Sequence, residues 1–200
     1  MASTTDGAIV ELKRQVLGGY QLLQTLVGLR LRSVTDPESI RHLTWVSDVA
    51  AAMELISRRM SGEGAVDFAG YLQDVAAFWS RACDGRPVRV QVRGQAALLP
   101  DSHLLPLAII THELISNACR HGFPDHRRGS IAVAFSRAVG GVSLVVRDSG
   151  VGAEALTMGE GLSLVRGLVE HLGGAMSIET APDAGVGVRI RLPLETALTH

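Results

Sequence analysis

The sequence predicts an α+β chain: an N-terminal antiparallel helical hairpin over residues 1–62, followed over 63–200 by an α/β sandwich whose mixed sheet is covered by helices on one face. Three observations carry this prediction. Apolar residues recur at helical spacing in two long stripes separated by a short break containing Pro37. A glycine-rich polar stretch, SGEGAVD at 61–67, then interrupts the pattern and marks a domain boundary. Beyond it, helical stripes mix with short alternating runs that read as hairpin-joined strands.

The first stripe, in ELKRQVLGGYQLLQTLV at 11–27, places Leu12, Val16, Tyr20, Leu23 and Val27 on one helix face and continues to about Arg32. Gly18 and Gly19 interrupt it, each at a cost of about 1 kcal/mol relative to alanine. SVTDPES ends the helix, and Asp36, Pro37 and Glu38 start the next one. Ile40, Leu43, Val46, Val49, Ala50, Met53, Ile56 and Met60 keep the second stripe, and so short a link makes the two helices antiparallel neighbours. Leu22, Leu26 and Trp45 widen the apolar surface beyond one seam, so a homodimer closing a four-helix bundle is expected. Downstream, helices are predicted over FAGYLQDVAAFWSRA, from about Ser102 to His121, and over GLSLVRGLVEHLG; strands over VRVQVR, SIAVAFSRA, VSLVVRD, AMSIETA and VGVRIRLP.

Composition narrows the function classes. The formal net charge is −1 and 46% of residues are hydrophobic, which argues for a folded chain without a nucleic-acid or polybasic membrane surface. Cys83 and Cys119 lack metal or disulfide spacing. The N-terminus lacks a signal-peptide pattern and no stretch is long enough to span a bilayer, so a cytoplasmic location is expected.

Three short motifs can carry chemistry. In HELISNACRHG, Glu113 and Asn117 lie one helical turn apart, where a carboxylate and a carboxamide can hold hydrated Mg2+ and orient a water. The run VSLVVRDSGVG leads from a strand into Asp148, a suitable acceptor for an exocyclic amine, with Gly150 and Gly152 allowing close backbone approach to a flat ring. In MGEGLSLV, Gly159, Gly161 and Leu162 open a helix whose free N–H groups suit phosphate.

Taken in this order, E-x-x-x-N, D-x-G-x-G and G-x-G-L resemble the N, G1 and G2 boxes of the Bergerat ATP-binding fold, shared by histidine kinases, gyrase, Hsp90 and MutL. HELISNACRHGFP is similar to the N box of bacterial sensor histidine kinases, specifically of the subfamily related to the HWE kinases. The resemblance covers nearly the whole chain and implies ATP and Mg2+ as ligands. By it, Asp148 would contact the adenine amino group, with Gly150 and Gly152 shaping the pocket. Asn117 would ligate Mg2+, and Glu113 would support the metal or polarise an attacking nitrogen. Arg120 and His121 would lie near the phosphates, and Gly159, Gly161 and Leu162 would form the phosphate turn.

Two departures qualify the expected activity. In that subfamily the first helix carries a motif like H-R-V-K-N-N-L-Q; laid on it, RQVLGGYQ puts Arg14 at the phosphoacceptor and Gly18-Gly19 at the paired asparagines. Arginine stays protonated and cannot accept a phosphoryl group. Only AEALTM separates Gly152 from Gly159, far less than the usual lid, and the family's terminal G-T pair reads Gly185-Val186. The expectation is a histidine-kinase-like transmitter, a pseudokinase regulating response regulators or kinases as a dimeric adaptor. The alternatives are an active kinase using an unconventional histidine or, as in anti-sigma kinases, a serine, and a histidine-phosphotransfer-like protein. His42, in the first turn of the second helix, reads as a surface residue, and His112 and His171 as structural or solvent-facing.

Overall fold

The computed structural model describes residues 2–59, 66–82 and 88–194. Two long helices open it, α1 (Ala2–Leu31) and α2 (Pro37–Arg59). Local chemistry sets the start of α2. The Asp36 carboxylate accepts from the Ser39 N–H at 2.8 Å, and Pro37 occupies the first helical position, where an N–H would have no intrahelical partner. Hydrogen bonds from Ser39 hold the Asp36 carboxyl below its ordinary range. α2 then packs along α1, and Gln21 and Gln24 of α1 both donate to Glu54, at 3.0 and 3.3 Å. Val27, Ala50, Ala52 and Ile56 are buried, while Leu12, Leu22, Leu26 and Leu29 stay more than half exposed. The domain boundary expected at 62/63 lies outside the described residues, as does Cys83.

The remainder follows the predicted order: α3 (Phe68–Ala82), β2 (Val88–Gly94), α4 (Asp101–Asn117), β4 (Gly129–Ala138), β5 (Gly141–Asp148), α5 (Glu160–His171), β6 (Ala175–Thr180) and β7 (Val186–Pro193). Two short strands, β1 (Val66–Asp67) and β3 (Leu98–Leu99), pair with each other. The main sheet runs β2-β4-β5-β7-β6, with β2 parallel to β4 and every other pair antiparallel, so it is mixed as predicted. Period-two alternation sends Val90, Ile131, Val133, Phe135, Leu144, Val146, Val188 and Ile190 into the core, under α3, α4 and α5. The other face presents Arg89, Arg93, Arg147, Arg189 and Arg191 to solvent. At the core, the Phe68 ring lies 5.1 Å from Tyr71 and 4.9 Å from Phe135, centroid to centroid.

One boundary differs from expectation. The helix predicted to reach His121 closes at Asn117, and Ala118–Gly122 form a wider π-helical turn. Phe123 precedes Pro124, which disfavours a helical Phe123 and ends the element there. The turn leaves the Gly122 carbonyl free to accept from Val151 N–H at 2.9 Å, tying it to the loop after β5. Among the described residues no helix is long and apolar enough to cross a membrane.

Candidate functional site

A cavity of about 940 Å³ opens between α4, the π-helical turn, the ends of β5 and β7, the start of α5 and the first turns of α2. It falls within the range typical of small-molecule sites. Glu113, Asn117, Arg120, His121, Asp148, Gly152, Gly159, Gly161 and Leu162 all line it, whereas Gly150 and Gly185 pack against Asp148 without lining it.

Asp148 ends β5, buried at 5% exposure. Its Oδ1 accepts the Gly150 N–H at 2.8 Å, which fixes the carboxylate's orientation. A Cβ on Gly150 would run into the Gly122 carbonyl, and one on Gly185 (φ +71°) into the Asp148 backbone. The glycines therefore let three backbone segments converge on this carboxylate. Thr180 strengthens the same wall, with its hydroxyl accepting from Ala153 N–H at 3.0 Å and donating to Gly185 O at 3.1 Å.

Glu113, which also lines the cavity, is 2% exposed, and its Oε1 has no hydrogen-bond partner. Burial pushes its carboxyl above the ordinary value, although the charges of His112 and Arg120 and a hydrogen bond from Trp45 pull the other way. Gly161 faces it, since a Cβ there would approach Glu113 Oε2 to 2.6 Å and Asn117 Nδ2 to 3.3 Å. α5 begins at Glu160 after the cap position Gly159, which gives no side-chain cap, so the N–H groups of its first turn are left without a side-chain partner where Gly159, Glu160 and Gly161 line the cavity. Glu113, Asn117 and the start of α5 thus meet in the same cavity that Asp148 lines.

These residues fit a nucleotide with its magnesium. The unpartnered buried carboxylate oxygen beside Asn117 suits a cation, and uncapped helical N–H groups suit phosphate. Among the described residues no group of three or more His, Cys, Asp or Glu could cage a metal, so a bound ion would draw its remaining ligands from water and phosphate.

The predicted phosphate-side cations sit differently from each other. Arg120 and His121 both line the cavity and are exposed, but Arg120 donates to Asp48 of α2 at 3.3 Å. Arg14 is far from the cavity, about 27 Å along α1 from the reversal at Arg32. Its side chain is 74% exposed and bonds Glu11 through two nitrogens, at 2.6 and 2.9 Å. His112 is buried against Trp79, with ring centroids 4.9 Å apart, and is structural. His171 is exposed at the end of α5.

Sequence reasoning missed the contribution of α2: Glu38, Arg41, His42, Trp45 and Val46 form one wall of the cavity. His42 Nε2 lies 3.6 Å from Glu160 Oε2 in the glycine-flanked turn. Gly122 was also missed, although the glycine directly after the N-box helix was a usable signal.

The family model described as histidine kinase-, DNA gyrase B- and HSP90-like ATPase matches residues 103–196. The sensor histidine kinase PdtaS of Mycobacterium tuberculosis is 26% identical over 205 residues, covering 94% of this chain and 40% of that protein. The chain therefore spans about two fifths of the length of the curated relatives it matches. Among solved structures, the histidine kinase domain of the blue-light-activated histidine kinase EL346 of Erythrobacter litoralis superposes with TM-score 0.68 at 20% identity. That match covers 87% of this chain and 96% of the domain. The larger EL346 kinase superposes with TM-score 0.72 at 22% identity, over 94% of this chain and 60% of that one. The chain has the fold of a histidine kinase domain, with the histidine kinase-, DNA gyrase B- and HSP90-like ATPase family matched over its residues 103–196.

Proposed function

We propose that this chain is a histidine-kinase-like transmitter of two-component signalling that binds ATP with Mg2+ but does not phosphorylate its first helix. On this reading residues 1–62 form a dimerisation domain, with the exposed leucines of α1 closing a four-helix bundle against a second copy, and residues 63–200 form the nucleotide domain. Asp148 receives the adenine amino group, Asn117 and Glu113 hold the metal, and the turn at Gly159–Gly161 cradles the phosphates. Acting by binding, the dimer serves as a regulator or adaptor for response regulators or kinases.

One observation carries the proposal. The residue at the phosphoacceptor register, Arg14, is a permanently charged side chain paired with Glu11, while Glu113, Asn117, Asp148 and Gly161 line one cavity. The test is incubation of the protein with labelled ATP and Mg2+, alongside Asp148→Ala. No acid-labile label is expected on either; label on the wild type alone would overturn the non-catalytic reading. A second reading, an active kinase with an unconventional acceptor, draws on His42, which reaches the cavity. Mapping any acid-labile label to His42 would establish that reading in its place.

A further inference from the structure

The phosphate side of the cavity lacks the wall that a long loop would give it, because only six residues, AEALTM, join Gly152 to Gly159. Helix α2 stands there instead. Arg41, His42 and Trp45, spread over about one turn, line the same cavity as Asn117, Asp148 and Gly161. His42 approaches the phosphate turn itself, 3.6 Å from Glu160, and Trp45 lines the cavity together with Glu113. One turn further along α2, Asp48 holds Arg120 at 3.3 Å, so the arginine that α4's end brings to the cavity is already engaged by α2.

The charges around this end make added cations necessary. Glu38, Glu113 and Glu160 all face it, and the start of α5 offers only the partial positive charge of a helix terminus. With Arg120 engaged by Asp48, the lining side chains that can meet a polyphosphate here are His121, Arg41 and His42. Neither α2 side chain is enclosed: Arg41 is exposed, and the His42 ring is 57% exposed with its Nε2 3.6 Å from Glu160. We propose that α2 forms the phosphate-side wall of the nucleotide site in place of a lid, with Arg41 and His42 meeting the polyphosphate of a bound nucleoside triphosphate. This rests on the reading that the chain binds ATP. It makes the helical hairpin part of the nucleotide site, so nucleotide occupancy is felt directly by the element proposed to dimerise.

Calorimetric titration of the full chain with ATP and with adenosine, both in Mg2+, tests the proposal on wild type, Arg41→Gln, His42→Gln and the double variant. Each single substitution is expected to weaken ATP binding roughly three- to tenfold and the double variant by more than about tenfold, as loss of charge-assisted hydrogen bonds predicts. Adenosine affinity should not change, which also confirms that the variants are folded. A double variant that binds ATP as tightly as wild type overturns the inference and leaves the ATP-binding reading intact. Equal losses for ATP and adenosine overturn it too, because the effect would not follow the phosphates. A wild-type protein that binds no ATP removes the reading itself and the inference with it.

Discussion

The glycines of α1 and the glycines around Asp148 occupy opposite environments. At Gly18 and Gly19 an added methyl group meets nothing within 4 Å. At Gly150, Gly161 and Gly185 it meets the Gly122 carbonyl, the Glu113 carboxylate and the Asp148 backbone in turn. At these three positions around the cavity, backbone segments and carboxylates converge so closely that an added Cβ would force a shift. In α1 glycine satisfies no constraint of the described fold and lowers helix stability. The contrast matches the proposed chemistry of the two regions, since the pocket keeps its buried carboxylates while the first helix carries Arg14 at the position the resemblance assigns to the acceptor.

The strongest way to break this contrast is Gly185→Ala. A left-handed backbone and a steric clash with the Asp148 main chain act together there, so a loss of about 2–4 kcal/mol is expected. Urea unfolding measures it, and a loss below about 0.5 kcal/mol, the range of ordinary surface substitutions, would mean that shape does not dictate this glycine. Asp148→Ala comes next. It removes the proposed adenine acceptor and should weaken ATP roughly tenfold to a hundredfold, as expected for a buried charge-assisted bond. The matching change in the other region, Arg14→Ala, should leave ATP affinity within about twofold, because an exposed residue remote from the cavity has no route to it. Calorimetry on the pair decides whether the functional asymmetry follows the structural one.

How much of this was legible in the sequence depends on the range of the interactions. Helices α3, α4 and α5 and the five strands of the main sheet announced themselves through periodicity, because burying one face of an element demands it, whereas the two-residue strands β1 and β3 did not. Asp148, Glu113 and Asn117 were legible because strand-end and same-face spacings are local. The wall contributed by α2 was not, since the approach of His42 to Glu160 joins positions more than a hundred residues apart through packing that leaves no periodic trace. The end of α4 was misplaced for a related reason. Its apolar stripe runs on into Ala118 and Cys119, both buried, and only the Phe123-Pro124 pair and the link from Gly122 to Val151 turn the backbone aside.

Glu113→Gln gives a smaller effect with a definite sign. Burial raises the Glu113 carboxyl in the folded state above its ordinary value of 4.5, so the folded protein holds the proton more tightly than the unfolded chain. The resulting stabilisation is complete below about pH 4.5 and is lost as pH rises through the raised folded value. At neutral pH without nucleotide, the neutral glutamine should therefore stabilise the fold by about 1 kcal/mol, while weakening any dependence of ATP binding on Mg2+. Thermal unfolding of the two proteins from pH 4 to pH 8 checks this. Curves that stay parallel across the range would show that Glu113 does not titrate within it.

The smallest predicted change falls on α1 and probes why its glycines persist. With open space at both positions, Gly18→Ala and Gly19→Ala should each stabilise the helix by about 1 kcal/mol, and Gly18→Asn or Gly19→Asn by only a few tenths. Folding alone therefore favours replacement, and the glycines need another reason to be there. Close approach of a second copy or a partner supplies one, because a residue without a side chain lets a neighbouring surface reach the backbone. That account predicts opposite outcomes in one protein: the double alanine variant melts higher as a folded unit yet associates more weakly, and the asparagine variant associates more weakly still. Sedimentation and calorimetric unfolding on the same samples separate the two effects. Association that stays unchanged while stability rises would leave Gly18 and Gly19 without a role in contact.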